Sequence, residues 1–170
     1  MYTRYIIPLY SYTAMPIFPD IIEVGCHFGR TTVLLDSAVN CGRDGDKEGF
    51  CIGVDIGPKI IATARKEYEH IPFEVVDAWQ TLQLLKIKME HEHSRKDGGW
   101  DSQQSLGYDI VYADIGGLSG ANGLLESLAL LDSLAKALEP RCIVIKSLCT
   151  NRLASQLIAF SKVWNKIKKV

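Results

Sequence analysis

Short apolar runs, most of them closing on a charged residue, recur along this chain. Ile21–Val24, Cys51–Asp55, Phe73–Val76, Ile110–Ala113 and Cys142–Ile145 are brief and nearly continuous in apolar character. Such runs suit strands buried on both faces. Between them the apolar positions spread to helical spacing. Thr31–Val39 predicts a first helix. Gly57-Pro58 starts a second, with proline at a first-turn position, running to about Tyr68 with Ile60, Ile61 and Ala64 for its buried side. Trp79 to about Glu90 predicts a third, with Leu82, Leu85 and Met89 at i, i+3 and i+7. Leu124–Leu138 is a Leu/Ala-rich fourth, stopped by Pro140. Arg152–Ile167 is an amphipathic fifth, with Leu153, Leu157, Phe160, Trp164 and Ile167 on one side. Polar or glycine-rich stretches at 40–49, 90–107 and 116–123 read as loops.

Strands alternating with helices imply an α/β protein: a doubly wound, mainly parallel sheet of about five strands with helices on both faces. Right-handed crossovers then put every strand's C-terminal end on one edge. Ligands of such sheets bind outside that edge, where the strand order reverses. The residues delivered there are Glu23, Asp55, Asp77, Asp114 and Lys146. One or two polar strand ends merely mark the approach to solvent, whereas four acids and a lysine on one edge point to a site.

Composition narrows the class. The 170 residues suit one domain with a real core, and 47% apolar with 23% charged residues excludes a disordered chain. A net charge of −1 gives no global attraction to nucleic acid. No run is long enough to span a bilayer, and Pro8, Ser11 and Pro16 interrupt the apolar N-terminus, so a cytoplasmic protein without a membrane partner is expected. Five cysteines without a C-x-x-C pair argue against a disulfide framework or a zinc site. Cys51 and Cys142 read as core thiols, and His91-Glu92-His93 as a solvated face rather than a metal site.

The segment with most chemistry is Glu23-Val24-Gly25-Cys26-His27-Phe28-Gly29, a strand end, a glycine turn and then a helix start at Arg30-Thr31-Thr32. It resembles the first motif, acid-x-Gly-x-Gly-x-Gly, of the class I (Rossmann-like) S-adenosylmethionine-dependent methyltransferases, with His27 where the middle glycine usually stands. The resemblance runs from about Ile21 to Lys146. It implies S-adenosylmethionine as cofactor, held by Glu23, Gly25, Cys26, His27 and Gly29 of the first motif. It also implies Asp55 on the ribose hydroxyls, Ile56 against the adenine, and Asp77-Ala78 at the adenine edge. Asp114-Ile115-Gly116-Gly117 falls where the fourth motif lies, beside the transferable methyl. Chemistry agrees independently: a carboxylate accepts from both hydroxyls of a diol, and acids favour a sulfonium cation. Glu23 would oppose the pyrophosphate of a dinucleotide, and the loop lacks G-x-G-x-x-G, so NAD ranks lower.

Methyl transfer is an in-line displacement that asks the protein chiefly for proximity and alignment. Asp114 and Lys146 are the candidate catalytic residues. Asp114 would align or deprotonate an acceptor, and the pair is similar to that of RNA ribose 2′-O-methyltransferases, although the N-terminal segment offers Arg4 rather than their further lysine. A plain salt bridge between the two is the competing reading. Arg152, Lys162, Lys166, Lys168 and Lys169 could touch RNA phosphates, but a solvated face is the commoner explanation. The expected domains are an N-terminal segment, 1–20, and an S-adenosylmethionine-binding domain, 21–170. About twenty-four residues follow Lys146, too few for the family's C-terminal strand hairpin, so strand five is expected to be an edge covered by Tyr2–Tyr12 or by a second copy in a homodimer. A catalytically inactive or truncated methyltransferase-like binding module is the alternative to an active enzyme. The acceptor is not written in the sequence.

Overall fold

Each apolar run forms a strand. The structure is a computed structural model that describes residues 5–8, 19–40, 49–95, 107–114 and 123–156. Its strands are β1 (Tyr5–Pro8), β2 (Ile21–Val24), β3 (Cys51–Asp55), β4 (Phe73–Val75), β5 (Ile110–Asp114) and β6 (Cys142–Lys146). The helices are α1 (Arg30–Asn40), α2 (Pro58–Glu67), α3 (Thr81–Arg95), α4 (Gly123–Leu138) and α5 (Leu148–Gln156). The sheet order is β1-β6-β5-β2-β3-β4. The five strands β2 to β6 are parallel, and β1 lies antiparallel on β6 with Tyr5 opposite Ile145. The order reverses between β2 and β5, which opens a crevice at their C-terminal ends.

The two sheet faces differ in chemistry because side chains alternate along each strand. One face carries Ile22, Val24, Ile52, Val54, Val111, Ala113, Ile143 and Ile145, packed with α3 and α4 residues such as Leu84, Leu130 and Leu134 into the main core. The register places Glu23, Gly53 and Tyr112 together on the other face, with Asp114 opposite Lys146. Val33 of α1 and Ile61 and Ala64 of α2 meet Phe73 there, and Val39 of α1 meets Ile21 and Cys51. The apolar face supplies most of the burial, and the other face has room for chemistry.

Several boundaries differ from expectation. Helix α3 continues to Arg95, so the polar loop starts later than residue 90. Its buried side is also rotated: Leu85 packs against the main core as expected, but Leu84 is fully buried and Lys88 is 2% exposed, while Leu82 is 81% exposed and Met89 faces solvent. Two contacts fix that rotation. The Leu84 carbonyl accepts from the Tyr108 hydroxyl (3.1 Å), and the Lys88 ammonium pairs with Asp20. Helix α5 begins at Leu148 rather than Arg152, because the Ser147 hydroxyl accepts from the Thr150 N–H (3.3 Å) and caps it. Leu157, Phe160, Trp164, Ile167 and the basic residues from Lys162 onward lie outside the described residues, as do Arg4, Cys41 and Ile115-Gly116-Gly117. Cys51 and Cys142 are buried free thiols, and the His91 ring lies 3.8 Å from that of Phe50.

Candidate functional site at the strand ends

The turn after β2 is shaped by close approach within the chain. Gly25 has φ +79°, and a Cβ there would overlap the Asp114 carbonyl. Gly29 has φ +81°, and a Cβ there would run into the Phe73 ring. Both positions therefore require glycine, the first to let β2 and β5 converge and the second to bring α1 onto β4. His27, in the place of the motif's middle glycine, also has a left-handed backbone at φ +50°. Histidine is among the side chains that tolerate this region better than most. Its ring meets Phe28 edge-on at 4.0 Å.

Four N–H groups of this loop are occupied internally. Gly25 and Cys26 both donate to the Val54 carbonyl (2.9 and 3.0 Å), and Gly29 donates to Cys26 (2.9 Å). His27 N–H donates to Asp55 Oδ2 (3.1 Å). A phosphate cradle needs such groups free, and four of them are committed here. Asp55 ties the site together: its second oxygen accepts from the Gly57 N–H at the start of α2 (2.9 Å). The carboxylate thus braces the first loop against the end of β3, and each oxygen keeps a further lone pair for a ligand hydroxyl. Ile56, next in the chain, is 68% exposed, an apolar surface beside that carboxylate. Asp77 Oδ1 accepts from the Trp79 N–H (3.0 Å) and opens the turn into α3, while Ala78 packs against the main core.

On the β2–β5 side lies a cleft of about 510 Å³ lined by Glu23, Cys26, His27, Asp114 and Lys146, and also by Phe28, Arg30 and Thr31. Glu23 is 1% exposed and accepts from the Thr32 hydroxyl. Gly53, opposite Glu23 on β3, leaves the room for that hydroxyl: a Cβ there would come within 2.8 Å of it. Burial pushes the Glu23 carboxyl up to about 7, with Thr32 opposing and Asp114 reinforcing the shift. Burial also pushes the Cys26 thiol up, so it is an unreactive packing group. Lys146 Nζ lies 2.5 Å from Asp114 Oδ2, and that hydrogen bond holds its pKa above the usual lysine value. Lys146 therefore stays charged at neutral pH and is a donor and positioner, not a base.

The sequence-derived residues thus form two adjoining groups. Glu23, Cys26, His27, Asp114 and Lys146 share the cleft, while Asp55, Ile56, Asp77 and Ala78 line the edge at β3 and β4. Phe28, Arg30 and Thr31 were missed. Their one signal was position, directly beside or after the glycines at the mouth of α1. Among the described residues no group of histidine, cysteine and acids could hold a metal.

Neither a protein-family model nor a curated protein matches the chain. Solved structures do. An S-adenosylmethionine-dependent methyltransferase from Mesorhizobium loti is 17% identical, with 71% of this chain covering 42% of that one at a TM-score of 0.43. The plantazolicin methyltransferase BpumL in complex with SAH is 15% identical, with 70% covering 34% at 0.42. A fibrillarin/Nop5p complex gives 16% identity, with 75% covering 48% at 0.45. The chain spans less than half the length of these structures. The values describe similarity of chain path and assign no activity to this chain.

Proposed function

We propose that this chain is the cofactor-binding core of an S-adenosylmethionine-dependent methyltransferase. The observation that carries the reading is the committed loop at the topological switch point. The N–H groups of Gly25, Cys26, His27 and Gly29 are spent on Val54, Asp55 and Cys26, and the carboxylates of Glu23 and Asp114 line the cleft together with Lys146 and Arg30. That donor set disfavours a pyrophosphate and fits a ligand with a hydroxylated sugar and a cationic centre. In this reading Asp55 takes the ribose hydroxyls, Ile56 and the Asp77-Ala78 turn flank the adenine, and Glu23 with the Gly25–Gly29 loop surrounds the amino-acid end. When bound, S-adenosylmethionine supplies a methyl group already activated by its sulfonium.

The chain's own contribution is then placement. Asp114, held by Lys146, would orient the acceptor's heteroatom and receive the proton it loses, and Lys146 would fix that carboxylate while remaining charged. The acceptor is a nucleophile recognised by segments beyond this core, and RNA belongs among the candidates to be screened. A second reading, a binding module without transfer, is favoured by the same ion pair: Asp114 already spends an oxygen on Lys146 at 2.5 Å. Incubation with methyl-labelled S-adenosylmethionine and pooled RNA, protein and small-molecule acceptors tests the enzyme reading. Label transfer that is lost in Asp114→Ala supports it. Tight cofactor binding with no transfer to any pool supports the module.

A further inference from the structure

Of the four acids at the strand ends, Glu23 alone is buried. Its surroundings come from every neighbouring element. Thr31 and Thr32 of α1 offer hydroxyls, and Cys26 follows in the loop. On β3 lie Cys51 and the side-chain-free Gly53. Tyr112 of β5 is its register neighbour, and Asp114 and Lys146 complete the face. Arg30 stands exposed at the cleft mouth. The ammonium facing Glu23 is Lys146, and it sits 2.5 Å from a different carboxylate, Asp114. Lys146 is thus shared between two acids, and of the two only Glu23 is shut away from water. An ionised carboxylate in such a place needs a cation beside it.

We propose that Glu23 exchanges its proton for the positive charge of the ligand. The carboxyl is protonated in the ligand-free cleft, and on binding its proton leaves to solvent as the cationic centre takes its place. This rests on the cofactor assignment above and adds a property of the site: affinity for the cation is linked to pH. The raised pKa of Glu23 sets the range, since release requires that the carboxyl be protonated first. Below about pH 7 each unit of rising pH strengthens binding by up to about tenfold, and the dependence levels off above it.

Calorimetric titration in buffers of different ionisation enthalpy counts the protons released. S-adenosylmethionine and S-adenosylhomocysteine carry the same α-ammonium and differ in the sulfonium. Near pH 6.5, close to the range set by Glu23, a release of about three-quarters of a proton with S-adenosylmethionine is expected. Release with S-adenosylmethionine alone identifies the sulfonium as the partner, and release with both identifies the ammonium; either supports the exchange. Glu23→Gln is expected to abolish the release and flatten the pH profile. Thr32→Val, which removes the donor that favours the ionised form, is expected to shift the profile to higher pH, and it serves should Glu23→Gln fail to fold. Binding of both ligands with no proton release and a flat profile overturns the proposal. Failure of both ligands to bind overturns the cofactor assignment instead.

Discussion

At the scale of single residues, the site depends on where the chain places charge and where it leaves out a side chain. Glu23 illustrates the first. Its carboxyl lies near 7 in the fold against a usual value of 4.5, so the folded state binds more protons between those values. Stability therefore falls as pH rises from about 4.5 through 7, by roughly 3 kcal/mol in total, and Glu23→Gln removes this slope. Urea titrations of both proteins at several pH values check it. Gly25 illustrates the second. Gly25→Ala places a methyl on the Asp114 carbonyl at a left-handed φ, so a loss of at least about 2 kcal/mol is expected in the same titrations. The two glycines and the strand-end acids were readable in the sequence because each closes an apolar run. The burial of Glu23 was not, since it follows from Gly53 and Thr32, which the sequence does not mark as neighbours.

At the scale of elements, tertiary contacts overrode local periodicity in α3. Leu82, Leu85 and Met89 have helical spacing, but of the three only Leu85 packs on the core, because the Tyr108 hydroxyl and Asp20 draw the Leu84–Lys88 side inward. The register of the helix on the sheet is thus decided by residues outside it, one of them a lysine that polarity alone would leave in solvent. Leu84→Ala is expected to cost about 2–5 kcal/mol and Leu82→Ala less than about 0.5 kcal/mol, measured by denaturant unfolding. Equal effects would contradict this orientation. The five parallel strands were legible almost to the residue, because a strand buried on both faces leaves an apolar run whatever its partners, whereas the antiparallel edge strand β1 was not read as a strand. Helix ends set by a cap such as Ser147 were less so.

At the scale of the whole molecule, the sheet has opposite duties at its two ends. The C-terminal edge carries the site. The N-terminal edge carries a charged clasp: Asp20 before β2 accepts from Lys88, Asp109 before β5 accepts from the Asp20 N–H (2.9 Å), and Arg141 before β6 donates to Asp109 (2.9 Å). The clasp ties α3 to the starts of β2 and β5, the strands that flank the crevice, and of the neighbouring β6. Lys88→Ala strands a carboxylate and is expected to cost about 3 kcal/mol or more, whereas Lys88→Met with Asp20→Asn costs less than the two single changes added together. A double-mutant cycle by urea unfolding reads that difference. The central claim concerns the other edge, and calorimetric titration with S-adenosylmethionine tests it most directly. One-to-one binding is predicted, weakened at least tenfold in an Asp55→Ala protein whose circular dichroism and melting match the parent. No binding by the parent chain, or equal affinity in that variant, would contradict it.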